Sequence, residues 1–275
     1  MSSNIHPSAI IEEGAQIGEG CIIGPFSLIG AEVVLGANVH IKSHVVVTGQ
    51  TEIGEGTVVF PFSVIGEVPQ DLKFKGEKTA LKIGARNRIR EHVTINCGTE
   101  GGGGVTVIGD DGLFMAGCHI AHDAHLGDRV IVVNSLPVAG HCIIEDDVII
   151  GGLCGSHQFV RIGRNSILQG GSLVGKDVPP FTKGARYPLS YVGINTVGLR
   201  RANFDEPTIL QIQDIYRILF VMGKNVSSAV KQIEADIPQS VIRDEILDFV
   251  KGSSRGIMKG YASGGESEST TLYQT

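Results

Sequence analysis

The chain has no tryptophan, and aromatic residues make up 5% of its 275 residues. A conventional globular core uses more aromatic bulk, so narrow, repetitive packing by small and aliphatic side chains is expected. The five cysteines include no CxxC pair, which leaves no redox or metal signature in their spacing. No apolar run approaches the roughly 20 residues of a spanning helix. No basic stretch followed by an apolar one opens the chain, so neither a stable membrane anchor nor a secretory leader is expected. A cytoplasmic location with reduced thiols follows. Basic residues number 23 against 29 acidic ones, a net charge of -6, which gives no reason to expect nucleic-acid binding.

Glycine is abundant, at 38 residues, and the chain is built on a repeat. Every sixth residue is aliphatic from Ile5 through Ile11, Ile17, Ile23, Ile29, Leu35, Ile41, Val47, Ile53 and Val59 to Ile65. Four residues after each comes a small or β-branched residue, as at Ala9, Ala15, Cys21, Ser27 and Val33. A period of six matches neither a helix nor an isolated strand. It describes short strands joined by tight corners, three faces to a turn of eighteen. The expected fold is mainly β: a triangular parallel β-helix whose coils bury their inner faces by stacking on one another. Cys21, Cys118, Cys142 and Cys154 fall on the small-residue slot and read as core packing. Cys97 lies off it.

The repeat breaks over 69–82, where Asp71 and Glu77 stand in place of aliphatics, and over 98–107, with four consecutive glycines. Both stretches are expected to be extruded loops, common places for function on a rigid scaffold. From Ile108 to Val174 the phase holds, with Ser156 the one polar exception. Asp177-Val178-Pro179-Pro180 is expected to end the solenoid, because Pro-Pro cannot supply ladder donors. After a connecting stretch over 181–195, Asp205 is an N-cap ahead of Pro207, and Gly223 can end that helix. A second helix is expected from Ser227 or Ser228 through Ile233, and a third from about Gln239 to Val250, stopped by Gly252. The expected organisation is a β-helical catalytic domain over 1–195, a small α-helical domain over 196–260 and a polar, disordered tail over 261–275.

Met115 to Phe159 holds five of the nine histidines: His119, His122, His125, His141 and His157. Counting by eighteens from His122 reaches Gly140 and then Gln158. With strands ~4.8 Å apart, these three stack in one column, with His141 and His157 beside it. A base, a glycine N–H and further polar side chains meet there on an otherwise structural wall, so this is the candidate active site. His122 is expected on the outer wall, and His125, which fits no column, on the surface. Asp123 keeps two readings, an orienting partner for the imidazole or a polar corner residue.

The segments IGPFSLIG, KSHVVVTGQTEIG, IGEVPQDLKFKGE, IGARNRIREHVTIN, HIAHDAHLGD, AGHCIIEDDVIIGG, HQFVRIG and GINTVGLRRANF closely resemble the UDP-N-acetylglucosamine O-acyltransferases of lipid A synthesis, over about residues 3–258. The resemblance implies a left-handed coil, where the usual crossover rule would give a right-handed one. It implies transfer of a 3-hydroxyacyl chain from acyl carrier protein to the 3-position of UDP-N-acetylglucosamine or its 3-amino analogue. It makes His122 the general base and Gly140 the oxyanion-hole donor. It gives Gln70, Asp71 and Lys73 contacts to sugar and phosphates, lines the site with His119, His141, His157 and Gln158, and gives the nucleotide to Asn195 and Arg201. No metal or bound cofactor is implied; the acyl group arrives on the phosphopantetheine of the carrier. Family members are homotrimers with the site between adjacent solenoids. Arg86, Arg88 and Arg90, or Arg161 and Arg164, offer a docking surface for the acidic carrier, or are simply solvated faces. The acyl groove is expected to pass near Gly170. The chain departs from the family at Asn96, where histidine is frequent, and at Val197, where an acidic residue is frequent. A zinc site of the γ-carbonic-anhydrase kind and a non-catalytic carrier-binding scaffold are the competing readings. The QDLK loop and the RR-containing helical tail favour the nucleotide sugar.

Overall fold

A regular turn of the chain is three two-residue strands, such as Ile22–Ile23, Leu28–Ile29 and Val34–Leu35, one on each face of a prism. The second residue of each strand points inward, and Ile23, Ile29 and Leu35 are buried. The pattern repeats up a left-handed parallel β-helix. Face one runs from Asn4–Ile5 to Ile167–Leu168, face two from Ile10–Ile11 to Leu173–Val174, and face three from Gln16–Ile17 to Arg161–Ile162. This computed structural model describes residues 3–260; the tail expected over 261–275 lies outside the described residues.

The core is a continuous column of aliphatic side chains with small residues at the corners, which is why so little aromatic bulk is needed. Cys21, Cys118, Cys142 and Cys154 fill corner positions, each thiol donating to a backbone carbonyl. Cys97 is buried as well and donates to the Gly66 carbonyl. Burial raises all five thiols, that of Cys97 to about 11.

Val64 pairs with Thr94, and Thr94 with His119, so two insertions leave the regular coil. Both leave at the same edge, between faces two and three, one after Glu67 and the other after Asn96. Each is shorter than its sequence suggests. Ala80–Ile83 and Val105–Ile108 are strands, because Leu81, Ile83, Thr106 and Ile108 alternate inward and are buried.

The Pro-Pro pair does not end the solenoid on every face. Pro179 and Pro180 sit at a corner, where no ladder donor is needed, and face one continues. Ile167–Leu168 pairs with Thr182–Ala185, which forms an antiparallel hairpin with Ser190–Ile194. The stretch expected to be a connector is therefore sheet.

Among the described residues four α-helices follow: α1 (Thr196–Arg201), α2 (Glu206–Tyr216), α3 (Val226–Asp236) and α4 (Val241–Lys251). Asp205 caps α2, with Pro207 in its first turn, and the last turn widens over Arg217–Val221. Asn225 and Ser240 cap α3 and α4. α1 has one buried residue, Leu199, and so lacks a periodic apolar signal. The helices dock on the solenoid through Tyr216, whose hydroxyl donates to the Pro180 carbonyl (2.6 Å), and through Arg164. The Arg164 guanidinium lies over Phe181 and Phe204 and pairs with Glu245 of α4.

Candidate active site

The edge that extrudes both loops is also the edge that carries His122 and His141. Corner residues here need a left-handed backbone, and Asp123 (φ 58°), His141 (φ 60°) and Phe159 (φ 66°) supply it one above another. His122 and Gly140 precede two of these corners. They stack closely: a Cβ on Gly140 would lie 2.8 Å from His122 Nε2. The column read from the sequence thus exists, with Gln158 exposed at the next coil.

His122 is buried rather than on the outer wall, at 5% exposure. The His141 ring stands edge-on to it at 5.0 Å, and Phe159 stacks on His141 at 4.5 Å. Asp123 Oδ2 lies 2.8 Å from His122 Nδ1. An ionised carboxylate can only accept, so Nδ1 carries the proton and Nε2 keeps its lone pair. Asp123 is buried and takes two more donors, the Thr99 N–H at Oδ1 (2.8 Å) and the Thr99 hydroxyl at Oδ2 (2.6 Å). Its own N–H donates to Thr106 Oγ1. The orienting reading of Asp123 is the one this geometry favours.

Among the described residues none accepts a hydrogen bond from the Gly140 N–H. One residue earlier the ladder is interrupted. Pro137 has no N–H, and the Ala139 N–H donates to Ser156 Oγ instead of a backbone carbonyl. Ser156, the polar exception in the repeat, therefore has a structural task one coil above Gly140.

Beside this corner the two loops enclose a cleft of about 580 Å³ lined by Asp71, Lys73, Phe74, Thr99, Glu100, His141 and Phe159, among others. Glu77 joins the loops by accepting from the N–H groups of Lys75 and Glu100. Asp71 and Lys73 are close enough to act on His141, whose pKa is lowered by burial first, with Asp123 and Asp71 opposing and His122 and Lys73 adding. His119 lies on face two with Nδ1 2.7 Å from Thr94 Oγ1; burial and then His122 hold its pKa down. Gln70, His157 and Gln158 are exposed and outside the cleft lining, and His125 is exposed on face three.

Asn195 and Arg201 are not brought to this cleft within one chain. Asn195 caps α1, its Oδ1 accepting from Gly198 N–H and its Nδ2 donating to the Asn165 carbonyl. Arg201 is exposed at the other end of α1, and Val197 is exposed between them. Asn96 is buried, with Nδ2 held by the Glu67 and Val68 carbonyls. The basic clusters are largely spent. Arg86 pairs with Asp110 and Asp111, and Arg90 with Glu91. Arg161 pairs with Glu145 and stacks on Phe249, and Arg164 is the helical clamp. Arg88 is exposed.

His122, Asp123 and His141 bring potential ligand atoms within 4.8 Å of one another, the one such group among the described residues. The Asp123 carboxylate already holds three donors, which suits an orienting acid better than a metal ligand. Thr99, Phe159 and Ser156 are the site residues that spacing did not single out. The break in apolar phase at Ser156 was a signal. Thr99 had none, because its partner lies on the next coil.

A three-faced hexapeptide coil with a polarised histidine beneath a glycine amide defines a hexapeptide-repeat transferase, and residues 2–31 match the model of the bacterial transferase hexapeptide. Residues 177–258 match that of UDP N-acetylglucosamine O-acyltransferase, domain 2. An acyl-[acyl-carrier-protein]–UDP-N-acetylglucosamine O-acyltransferase of Paracoccus denitrificans is 55% identical over 191 residues, covering 69% of this chain and 71% of that protein. One from Anaeromyxobacter sp. (strain Fw109-5) is 44% identical over 93% of this chain and 99% of its own length. Among solved structures, the UDP-N-acetylglucosamine acyltransferase of Bacteroides fragilis 9343 is 44% identical, with TM-score 0.91 over 93% of this chain and all of that one. That of Francisella novicida is 34% identical, also with TM-score 0.91, over 98% and 100%. The chain belongs to the acyl-[acyl-carrier-protein]–UDP-N-acetylglucosamine O-acyltransferase family.

Proposed function

We propose that this protein transfers a 3-hydroxyacyl chain from acyl carrier protein to the glucosamine 3-position of UDP-N-acetylglucosamine or its 3-amino analogue, the first step of lipid A biosynthesis. The observation that carries the mechanism is the placing of Gly140 directly over a His122 whose Nδ1 is bound to Asp123. Nε2 of His122 takes the proton of the acceptor as that atom attacks the thioester carbonyl. The Gly140 N–H donates to the oxyanion of the tetrahedral intermediate, a fixed donor worth about 3–4 kcal/mol in such sites. The C–S bond then breaks, and the phosphopantetheine thiolate leaves with the proton from His122. Asp123 holds the tautomer and stabilises the transient imidazolium.

Asp71 and Lys73 contact the sugar phosphate from the cleft, with Gln70 beside them, and His119, His141, His157 and Gln158 complete the wall. Arg201 suits a diphosphate because its fork binds two oxygens. It reaches the nucleotide across a contact between copies, and Asn195 fixes the start of the helix that carries it. A homotrimer is supported by the aliphatic strip of Leu113, Ile131, Ile149 and Ile167 on the outside of face one, which suits cover by another copy. No metal or bound cofactor takes part in this scheme. No helix of the described residues is long and apolar enough to cross a membrane, which suits cytoplasmic work on soluble substrates.

The test is a turnover assay with both sugars, a ladder of 3-hydroxyacyl carrier proteins and EDTA in parallel. Transfer that survives EDTA is expected, and it fixes acceptor atom and chain length together. No transfer to either sugar, or hydration of carbon dioxide that EDTA abolishes, would replace this reading with the scaffold or zinc alternatives.

A further inference from the structure

We infer that Thr99, on the glycine-rich loop, is a positioning residue that sets the basicity of His122 through Asp123. The inference rests on the His122 mechanism above. Three observations carry it. Thr99 grips the Asp123 carboxylate twice, through N–H and hydroxyl. Its hydroxyl and His122 Nδ1 share one oxygen, Oδ2, at 2.6 and 2.8 Å. And the loop is shaped for this approach: a Cβ on Gly98 would meet Asp123 Oδ1 at 2.8 Å, and one on Gly102 would overlap the carboxylate outright.

The consequence is electrostatic. Electron density on Oδ2 that goes to the Thr99 hydroxyl is withheld from the imidazole, so Asp123 pulls less strongly on a proton at His122. The threonine hydroxyl and the imidazole thus compete for one carboxylate oxygen, and that competition is what the hydroxyl contributes to the dyad. Thr99 also lines the cleft beside Glu100, and Glu100 is tied to Glu77 of the sugar loop. One short loop therefore touches both the acceptor site and the carboxylate behind the base.

The experiment compares wild type, Thr99→Val and Thr99→Ser. Imidazole titrations are followed by NMR, with exposed His125 as an internal control, and pH profiles of kcat and KM are measured. In the valine variant the His122 titration and the acid limb of kcat/KM are expected to move to higher pH. There kcat is expected to fall about 10-fold, while KM for the sugar nucleotide changes less than about 2-fold and His125 does not shift. Serine, which keeps the hydroxyl, should return both readouts to wild type. An unmoved His122 titration in the valine variant, or a serine variant that behaves like valine, overturns the assignment. The titration needs no turnover, so a wild-type protein without transferase activity would remove the functional reading while the Thr99–Asp123–His122 coupling is still measured.

Discussion

Gly140 and His122 are so closely stacked that a methyl group at position 140 would lie 2.7 Å from the imidazole Cε1. Contacts under 3.0 Å are essentially never made by real Cβ atoms, so either the ring or the coil has to move. Gly140 does not use a left-handed backbone, so alanine is tolerated by the chain itself. Gly140→Ala is therefore expected to lower kcat about 100-fold or more while the β-helix circular dichroism is retained. A variant of near wild-type activity would remove Gly140 from the site.

Asp123→Asn should retain UDP-sugar binding and lose kcat, because an amide can present its N–H to Nδ1 and reverse the tautomer. His122→Ala should lose about 10³-fold in kcat. It should also cost about 1–3 kcal/mol in stability, because it leaves Asp123 with a missing donor in a buried place. Paired kinetics and urea unfolding check both. Complete loss of fold in His122→Ala would make the residue structural first.

His119 gives a pH signature of its own. Its folded pKa is lowered by burial, so the folded chain binds fewer protons there than the unfolded chain. Stability from this group is present above the unfolded value near 6.5 and is lost as pH falls through 6.5 towards the lowered value. The slope is at most about 1.4 kcal/mol per pH unit for one proton. His119→Gln is expected to flatten the loss of unfolding free energy between about pH 7 and pH 5; an unchanged slope would assign that loss to other groups, His141 first.

Arg164 holds the helices to the coil through a bidentate pair with Glu245, at 2.6 and 2.7 Å, and two aromatic faces. Arg164→Ala should cost about 2 kcal/mol. It should also raise the rate of proteolysis in 196–260. Lysine should restore little, lacking the planar fork. Protease resistance equal to wild type would show that Tyr216 and the hairpin suffice.

All five thiols are buried, and burial raises their pKa values. At pH 8 in the native state a disulfide reagent should label them slowly, and in guanidinium all five quickly. Fast labelling of one native cysteine would mark a local opening, and Cys97, under the loop edge, is the position to check first.

The coil was legible because a six-residue period repeated many times leaves few alternatives, and the same regularity gave the His122–Gly140 stack by arithmetic. What counting missed came from elsewhere in the chain. Asp123 is held by Thr99 from the coil below, across an insertion whose length breaks the arithmetic. The depth of His122 depends on the loop and the His141 ring, which no single period encodes. The hairpin over 182–194 was hidden by Pro179 and Pro180, whose corner position removes the objection to them. α1 was hidden because a six-residue helix with one buried side chain carries no period.

Because the coils stack at a fixed ~4.8 Å spacing, heights along the histidine edge are quantised. Inserting or deleting a whole turn between the loop after Glu67 and Asp123 would change their separation by one full step, more than any side chain can stretch to absorb. Variation at this edge must therefore come sideways, through the residues that project from each coil or the length of the two loops, while the vertical arrangement of loop, His122 and Gly140 is kept as a unit.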